Sequence, residues 1–258
     1  MSAPPDEPLA EGTLISHLLE LRDRLVRALV GVLILFVPAA YWRRELFSLL
    51  ADPLMKQLPE GARPIATGVM SPFIAPIKLA FFTALFIAMP WVLYQIWAFV
   101  APGLYRKEKH FAVPLLLSSI LLFYVGTSFA YFAVFPAAFH FFAMSAPKEV
   151  LLSPDINEYI SFALTTFFAF GIAFEIPVVV VLLTLTGLVS VETLRSARGY
   201  VVIGVFIAAA VLTPPDPLSQ IMMAIPMWLL YEGGVLMARL LAREKKKKQE
   251  ASASDSAA

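Results

Sequence analysis

From Leu79 to Phe99 the chain runs for twenty-one residues without a charged side chain, and from Phe111 to Phe135 for another twenty-five. A helix needs about 20 apolar residues to cross the roughly 30 Å hydrocarbon layer of a bilayer. Tyr159 to Leu185 is broken only by Glu175, and Leu25 to Trp42 only by Arg27. With 59% hydrophobic residues, against roughly 45–50% in an average soluble domain, no water-soluble fold of this length hides so much apolar surface. The expected class is therefore an all-α membrane protein.

Six apolar runs are expected to form the spans, at about 25–42, 79–99, 111–135, 159–185, 200–212 and 218–241, within one membrane domain of residues 13–241. Residues 1–12 read as a disordered lead and residues 242–258 as a basic, disordered tail. The acidic lead and the missing small-residue cleavage site favour a retained first span over a cleaved signal peptide. Thr13 to Leu25 places Leu14, Leu18, Leu21 and Leu25 on one helical face, so an amphipathic turn leads into the first span. Between Arg43 and Ser71, Leu46, Phe47, Leu49, Leu50, Leu54 and Met55 recur at helical spacing, with Pro53 interrupting. That pattern predicts an amphipathic helix lying at the membrane surface. Ser71-Pro72, Ser153-Pro154-Asp155 and Ser190-Val191-Glu192 carry helix-start chemistry.

The fifth run, Tyr200 to Leu212, has thirteen residues, and the Thr213-Pro214-Pro215-Asp216-Pro217 turn prevents its continuation into the sixth. The fifth and sixth spans are expected to be short, accommodated by neighbouring helices or a thinned bilayer. Six spans place both termini on one side of the membrane. Fourteen Lys and Arg fall on that side against five on the other, which assigns both termini to the cytoplasm. No internal repeat relates the two halves, which weighs against an inverted-repeat transporter.

Much chemistry is excluded. There is no phosphate-binding Gly-x-x-x-x-Gly-Lys loop, no His-Glu-x-x-His and no Gly-x-Ser-x-Gly. The chain has no cysteine, and His17, His110 and His140 are scattered over different segments. No enzyme, cofactor or metal is expected, and the near-zero net charge points to no nucleic-acid partner.

The remaining polar residues are few. Glu175 lies deep in the fourth span, where an ionised carboxylate must face protein or water. It is either functional or a protonated acid bonded to carbonyls freed by Pro177. Glu232, nearer the cytoplasmic end of the sixth span, can reach water or Arg239 in a structural role. Asp216 precedes Pro217 as a helix cap, while Thr213 and Gln220 form a small polar cluster suited to another membrane helix. Glu20 and Glu108 lie on different segments but the same side, each among cations. They form either surface ion pairs or an acidic patch for a cationic ligand.

Four stretches resemble the TatC family, the core of the twin-arginine protein translocase. They are His17-Leu18-Leu19-Glu20-Leu21-Arg22, Phe99-Val100-Ala101-Pro102-Gly103-Leu104-Tyr105-Arg106-Lys107-Glu108, Phe170 to Pro177, and Leu212-Thr213-Pro214-Pro215-Asp216. The resemblance implies a cupped helical bundle in the bacterial cytoplasmic membrane. It further implies that Glu20 and Glu108, with Phe99, Arg22 and Leu104, receive the arginine pair of a signal peptide. Val211, Leu212, Thr213 and Gln220 would contact single-span TatA-like and TatB-like partners, and Asp216 and Pro53 would belong to a periplasmic cap. Other copies of the chain and the lipid bilayer complete the expected partners, and the proton-motive force drives transport of folded cargo. Successive residues of an extended peptide point to opposite sides, so two adjacent arginines suit two carboxylates on separate segments. The rival readings are a proton- or ion-coupled transporter using Glu175 and Asp216, and a structural scaffold.

Overall fold

Apolar runs without charge fold into helices because each backbone group must find its partner inside the segment. The computed structural model describes residues 9–55, 65–100, 112–138, 144, 155–212 and 217–255. In chain order the helices are α1 (Leu9–Tyr41), α2 (Arg43–Met55), α3 (Ser71–Val100), α4 (Ala112–Phe129), α5 (Ile156–Ala173), α6 (Ile176–Leu185), α7 (Val191–Ser196), α8 (Arg198–Leu212) and α9 (Pro217–Asp255). A π-helical turn, Ala130–Val134, follows α4.

Five helical stretches are long and apolar enough to cross a membrane: Ile15–Tyr41, Ser71–Val100, Ala112–Ala138, Ile156–Leu185 and Gln220–Arg243. The fifth expected span is the shorter apolar helix Arg198–Val211. At 1.5 Å per residue α8 reaches roughly 22 Å, so its shortness follows from the sequence as expected. The expected shortness of the sixth span is corrected. Its apolar part, Gln220–Arg243, has 24 residues, because Pro226 sits within α9 without ending it. Helical structure also extends into both regions expected to be disordered, from Leu9 at one end and to Asp255 at the other.

Packing runs in a row: α1 against α3, α3 against α4 and α5, α4 against α5, α6 against α9, and α9 against α8. Lipid supplies little hydrophobic drive between helices, so close approach and interhelical hydrogen bonds hold the row together. Ala39 of α1 is buried with Ala80 and Ala84 of α3, where small side chains let the two backbones approach. At the α4–α5 crossing a Cβ on Gly126 would lie 2.6 Å from the Phe170 carbonyl oxygen, and one on Gly171 2.5 Å from the Phe123 ring. Only glycine fits at either position. Tyr124 donates to the Phe86 carbonyl at 2.9 Å, and Trp97 donates to the Ser119 hydroxyl at 3.0 Å, tying α4 to α3.

The apolar face of the amphipathic helix α2 is turned onto the protein core. Leu50 is buried in the central core, with Leu46 and Phe47 packed against it, and Tyr159 of α5 donates to the Leu50 carbonyl at 3.0 Å. Helical periodicity identifies an apolar face but not what covers it. Pro53 falls near the end of α2, which continues to Met55.

The expected start of α5 is present. Asp155 accepts hydrogen bonds from the backbone N–H groups of Asn157 and Glu158. It also accepts from the Thr67 backbone at 2.8 Å and the Thr67 hydroxyl at 2.7 Å. Four donors stabilise the ionised form, the Thr67 hydroxyl most, and bring the Asp155 pKa down from 3.8 to about 2. Ser190 likewise caps α7 by accepting from the Thr193 backbone. Ser71 is instead the first residue of α3, and the Met70 carbonyl accepts from Ile74.

Candidate functional site

Helix α1 begins well before its apolar span, which carries Glu20 to one end of the bundle, where α3 finishes. Two donors of Arg24, Nε at 3.0 Å and Nη2 at 2.6 Å, share one oxygen of Glu20, Oε1. These residues are four apart on α1, the spacing at which helical side chains meet. The other oxygen, Oε2, faces His17 Nδ1 at 3.9 Å, beyond hydrogen-bonding distance. Among the described residues no donor bonds Glu20 Oε2, and the side chain remains 36% exposed.

The His17 ring stacks on Phe99 of α3 with centroids 4.2 Å apart and planes 19° from parallel. This contact joins two expected site segments that lie far apart in sequence. Arg22 turns away from Glu20 and pairs with Asp23 at 2.8 Å, both side chains being more than half exposed. His17 and Arg24 are the members of this site that reasoning from residue type undervalued. Their signal was present in the spacing, His17 one turn before Glu20 and Arg24 one turn after. Glu108 and Leu104 lie outside the described residues, as do Thr213 and Asp216.

Glu175 sits at the break between α5 and α6, where Pro177 enters the first turn of α6. Its Oε1 is buried with no hydrogen-bond partner among the described residues, and the Ser119 hydroxyl lies beside its carboxyl group. The expected bond to a carbonyl freed by Pro177 is not among the contacts of Oε1. Glu232 pairs with Arg198 at 2.6 Å rather than with Arg239. The pair links the start of α8 to α9, helped by Tyr231, which donates to the Leu194 carbonyl at 2.6 Å.

Along α8, Tyr200, Ile203, Ile207 and Val211 recur at helical spacing and are 81%, 58%, 61% and 80% exposed. Val211 therefore stands on an open apolar face, as expected of a residue that meets lipid or another membrane helix. Gln220 is partly buried in the first turns of α9. Leu212 is the last residue of α8.

Five helices long and apolar enough to cross a membrane, with a shorter apolar sixth, define a helical protein of the multi-span membrane class. Residues 16–226 match the family described as Sec-independent protein translocase protein (TatC), and the chain belongs to that family. The TatC protein of Azotobacter chroococcum is 51% identical over 246 residues, covering 95% of this chain and 96% of that protein. The TatC protein of Escherichia coli K12 is 48% identical over 237 residues, covering 92% of each. A solved structure described as the crystal structure of the twin-arginine translocase receptor TatC superposes with a TM-score of 0.79 at 40% identity. It covers 87% of this chain and 98% of the solved one.

Proposed function

We propose that this chain is the receptor subunit of a twin-arginine translocase, binding the paired arginines of a signal peptide through Glu20 and Glu108. The observation that carries this reading is the half-occupied carboxylate of Glu20. One oxygen is held by Arg24 and the other has no hydrogen-bond donor among the described residues, beside the His17–Phe99 stack, so a second guanidinium can bind without first breaking the internal pair. Phe99 lies nine residues before Glu108, and the stack holds the helix of Glu20 beside the segment that leads to the second carboxylate. Two acids on separate segments suit an extended Arg-Arg pair, and the fork of each guanidinium matches a carboxylate as an ammonium does not.

In this reading the six spans place both termini in the cytoplasm of the bacterial cell. That orientation rests on the fourteen-to-five cation count. TatA-like and TatB-like subunits dock along α8 and the start of α9, a role supported by the open apolar stripe ending at Val211. Further copies of the chain join the complex, and the proton-motive force supplies the work.

The decisive experiment measures export of a folded reporter carrying an Arg-Arg signal by the Glu20→Lys and Glu108→Lys variants. Both are expected to stop export while membrane insertion and thermal stability persist. Normal export in both variants would overturn the proposal. Signals with Lys-Lys in place of Arg-Arg are expected to cross-link distinctly less to probes beside Glu108, and equal yields would count against the two-fork arrangement.

A further inference from the structure

At the end of the bundle opposite Glu20, where α1 finishes and both α2 and α3 begin, a cavity of about 400 Å3 opens between Arg43, Arg44, Phe47, Pro72, Phe73 and Pro76. Its volume falls within the roughly 300–1,000 Å3 typical of small-ligand sites. Its two sides differ in chemistry. One carries two guanidinium groups, and neither has a carboxylate partner among the described residues. Arg43 spends one N–H on the Ala40 carbonyl at 3.1 Å, capping the end of α1 and leaving other donors of its fork to turn outward. The other side is two phenylalanines and two prolines, with nothing to bond.

The position is that of the bilayer interface. The first apolar stretch ends at Tyr41; Tyr41 and Trp42, which lead directly into Arg43, are 80% and 54% exposed, and Phe73 in the cavity lining is 60% exposed. Aromatic side chains that stay half out of the protein at a span end sit at headgroup level. Val37, one turn deeper on α1, is 70% exposed and continues the apolar surface toward the middle of the span. A ligand with a phosphate at the interface and apolar chains running inward fits this sequence of surfaces.

We propose that this cavity binds the phosphodiester headgroup of an anionic phospholipid, held by Arg43 and Arg44 with its glycerol backbone against Phe47 and Phe73. The assignment needs only that the chain spans a membrane. It also accounts for an exception in the charge pattern. Under the orientation given above, Arg43 and Arg44 are two of only five cations on the outer side. A headgroup that neutralises them explains why they are tolerated there. Guanidinium forks match phosphate oxygens better than ammonium groups do.

The test uses the full-length chain purified in detergent and exposed separately to dioleoyl phosphatidylglycerol, dioleoyl phosphatidylcholine and inorganic phosphate. Retained ligand is counted by native mass spectrometry, and the unfolding temperature is followed alongside. Phosphatidylglycerol is expected to be retained and to raise that temperature, with phosphatidylcholine and inorganic phosphate doing neither. The double variant Arg43→Gln/Arg44→Gln should weaken retention by roughly tenfold to thirtyfold, since each cation near a membrane surface contributes about 1 kcal/mol. Arg239→Gln, which removes an exposed cation elsewhere on α9, should leave retention unchanged. Should the double variant fail to fold, Arg44→Lys keeps the charge and loses the fork, and is expected to retain less phosphatidylglycerol than the wild type. Equal retention of the two lipids, or wild-type retention by a folded double or Arg44→Lys variant, would overturn the proposal. An equal effect of inorganic phosphate would make the site a free-anion site and overturn the lipid assignment.

Discussion

The Glu20 region of α1 and the start of α5 are both carboxylate-centred, yet they are built in opposite ways. Asp155 uses its oxygens on four donors, two of them from Thr67, a residue 88 positions away in the chain. Tyr159 in the next turn reaches α2 across 109 positions, and Lys78 of α3 donates to Ser161 across 83. Asp155 Oδ1 caps its own helix and Oδ2 holds a distant segment against it, so neither oxygen is left over. Among the described residues Glu20 is hydrogen-bonded only by Arg24 on its own helix, on one of its two oxygens, and the aromatic stack next to it joins this part of α1 to α3. A carboxylate that ties the fold together has little left for a ligand. A carboxylate held locally keeps capacity to spare.

That contrast is sharpest at Glu20 itself. Glu20→Ala is expected to lower affinity for an Arg-Arg signal peptide by more than about tenfold, the loss of a charged hydrogen bond, without lowering the unfolding temperature. A binding titration and a melt on the same sample check it, and a large fall in stability would erase the distinction between the two carboxylates.

Tyr159→Phe should show the reverse. It leaves the buried Leu50 carbonyl without its donor and is expected to cost about 1–3 kcal/mol of stability, with signal binding intact. Denaturation in detergent measures the first and the peptide titration the second.

Acid should act on the Asp155 end before it unfolds the spans. The folded pKa is depressed, so the tether's contribution is complete above the ordinary value of 3.8 and is lost as pH falls toward about 2. Hydrogen exchange of residues 65–70 is expected to accelerate over that window, and Asp155→Asn should show the faster exchange already at neutral pH. Unchanged exchange through the window would mean that Thr67 is held by something other than the ionised carboxylate.

The smallest effect belongs to Arg24→Gln. Freeing Oε1 should strengthen peptide binding by up to about threefold, because a partly exposed helical pair is worth less than about 1 kcal/mol. Weaker binding would instead make Arg24 part of the receptor surface.

Much of this was legible in the residues. The charge-free runs, the helix starts at Asp155 and Ser190, the shortness of α8 and the Glu20–Arg24 spacing all follow from local pattern. What was not legible depends on contacts made over long distances in the chain. Periodicity gave α2 its apolar face, but its burial depends on Leu50 meeting a tyrosine from α5. Glu232 had Arg239 within helical reach, yet the fold brings Arg198 closer. The His17–Phe99 stack could not be read from either segment alone, and it is the contact that gathers the first half of the site. The sixth span was misjudged because the prolines before it suggested a short hairpin, whereas its length is set by where apolar residues end.

Lys78 bears on how the protein is made. Its Nζ is satisfied by Asn157 and Ser161, both on α5, and it sits within a stretch that must enter the bilayer. A lone cation is costly to leave in hydrocarbon, so the leading end of α3 is held toward water until those partners exist. Synthesis delivers them only some eighty residues later, measured from Lys78. These contacts predict a built-in order of assembly. The second span is expected to reach its final depth only when the fourth arrives to receive its lysine.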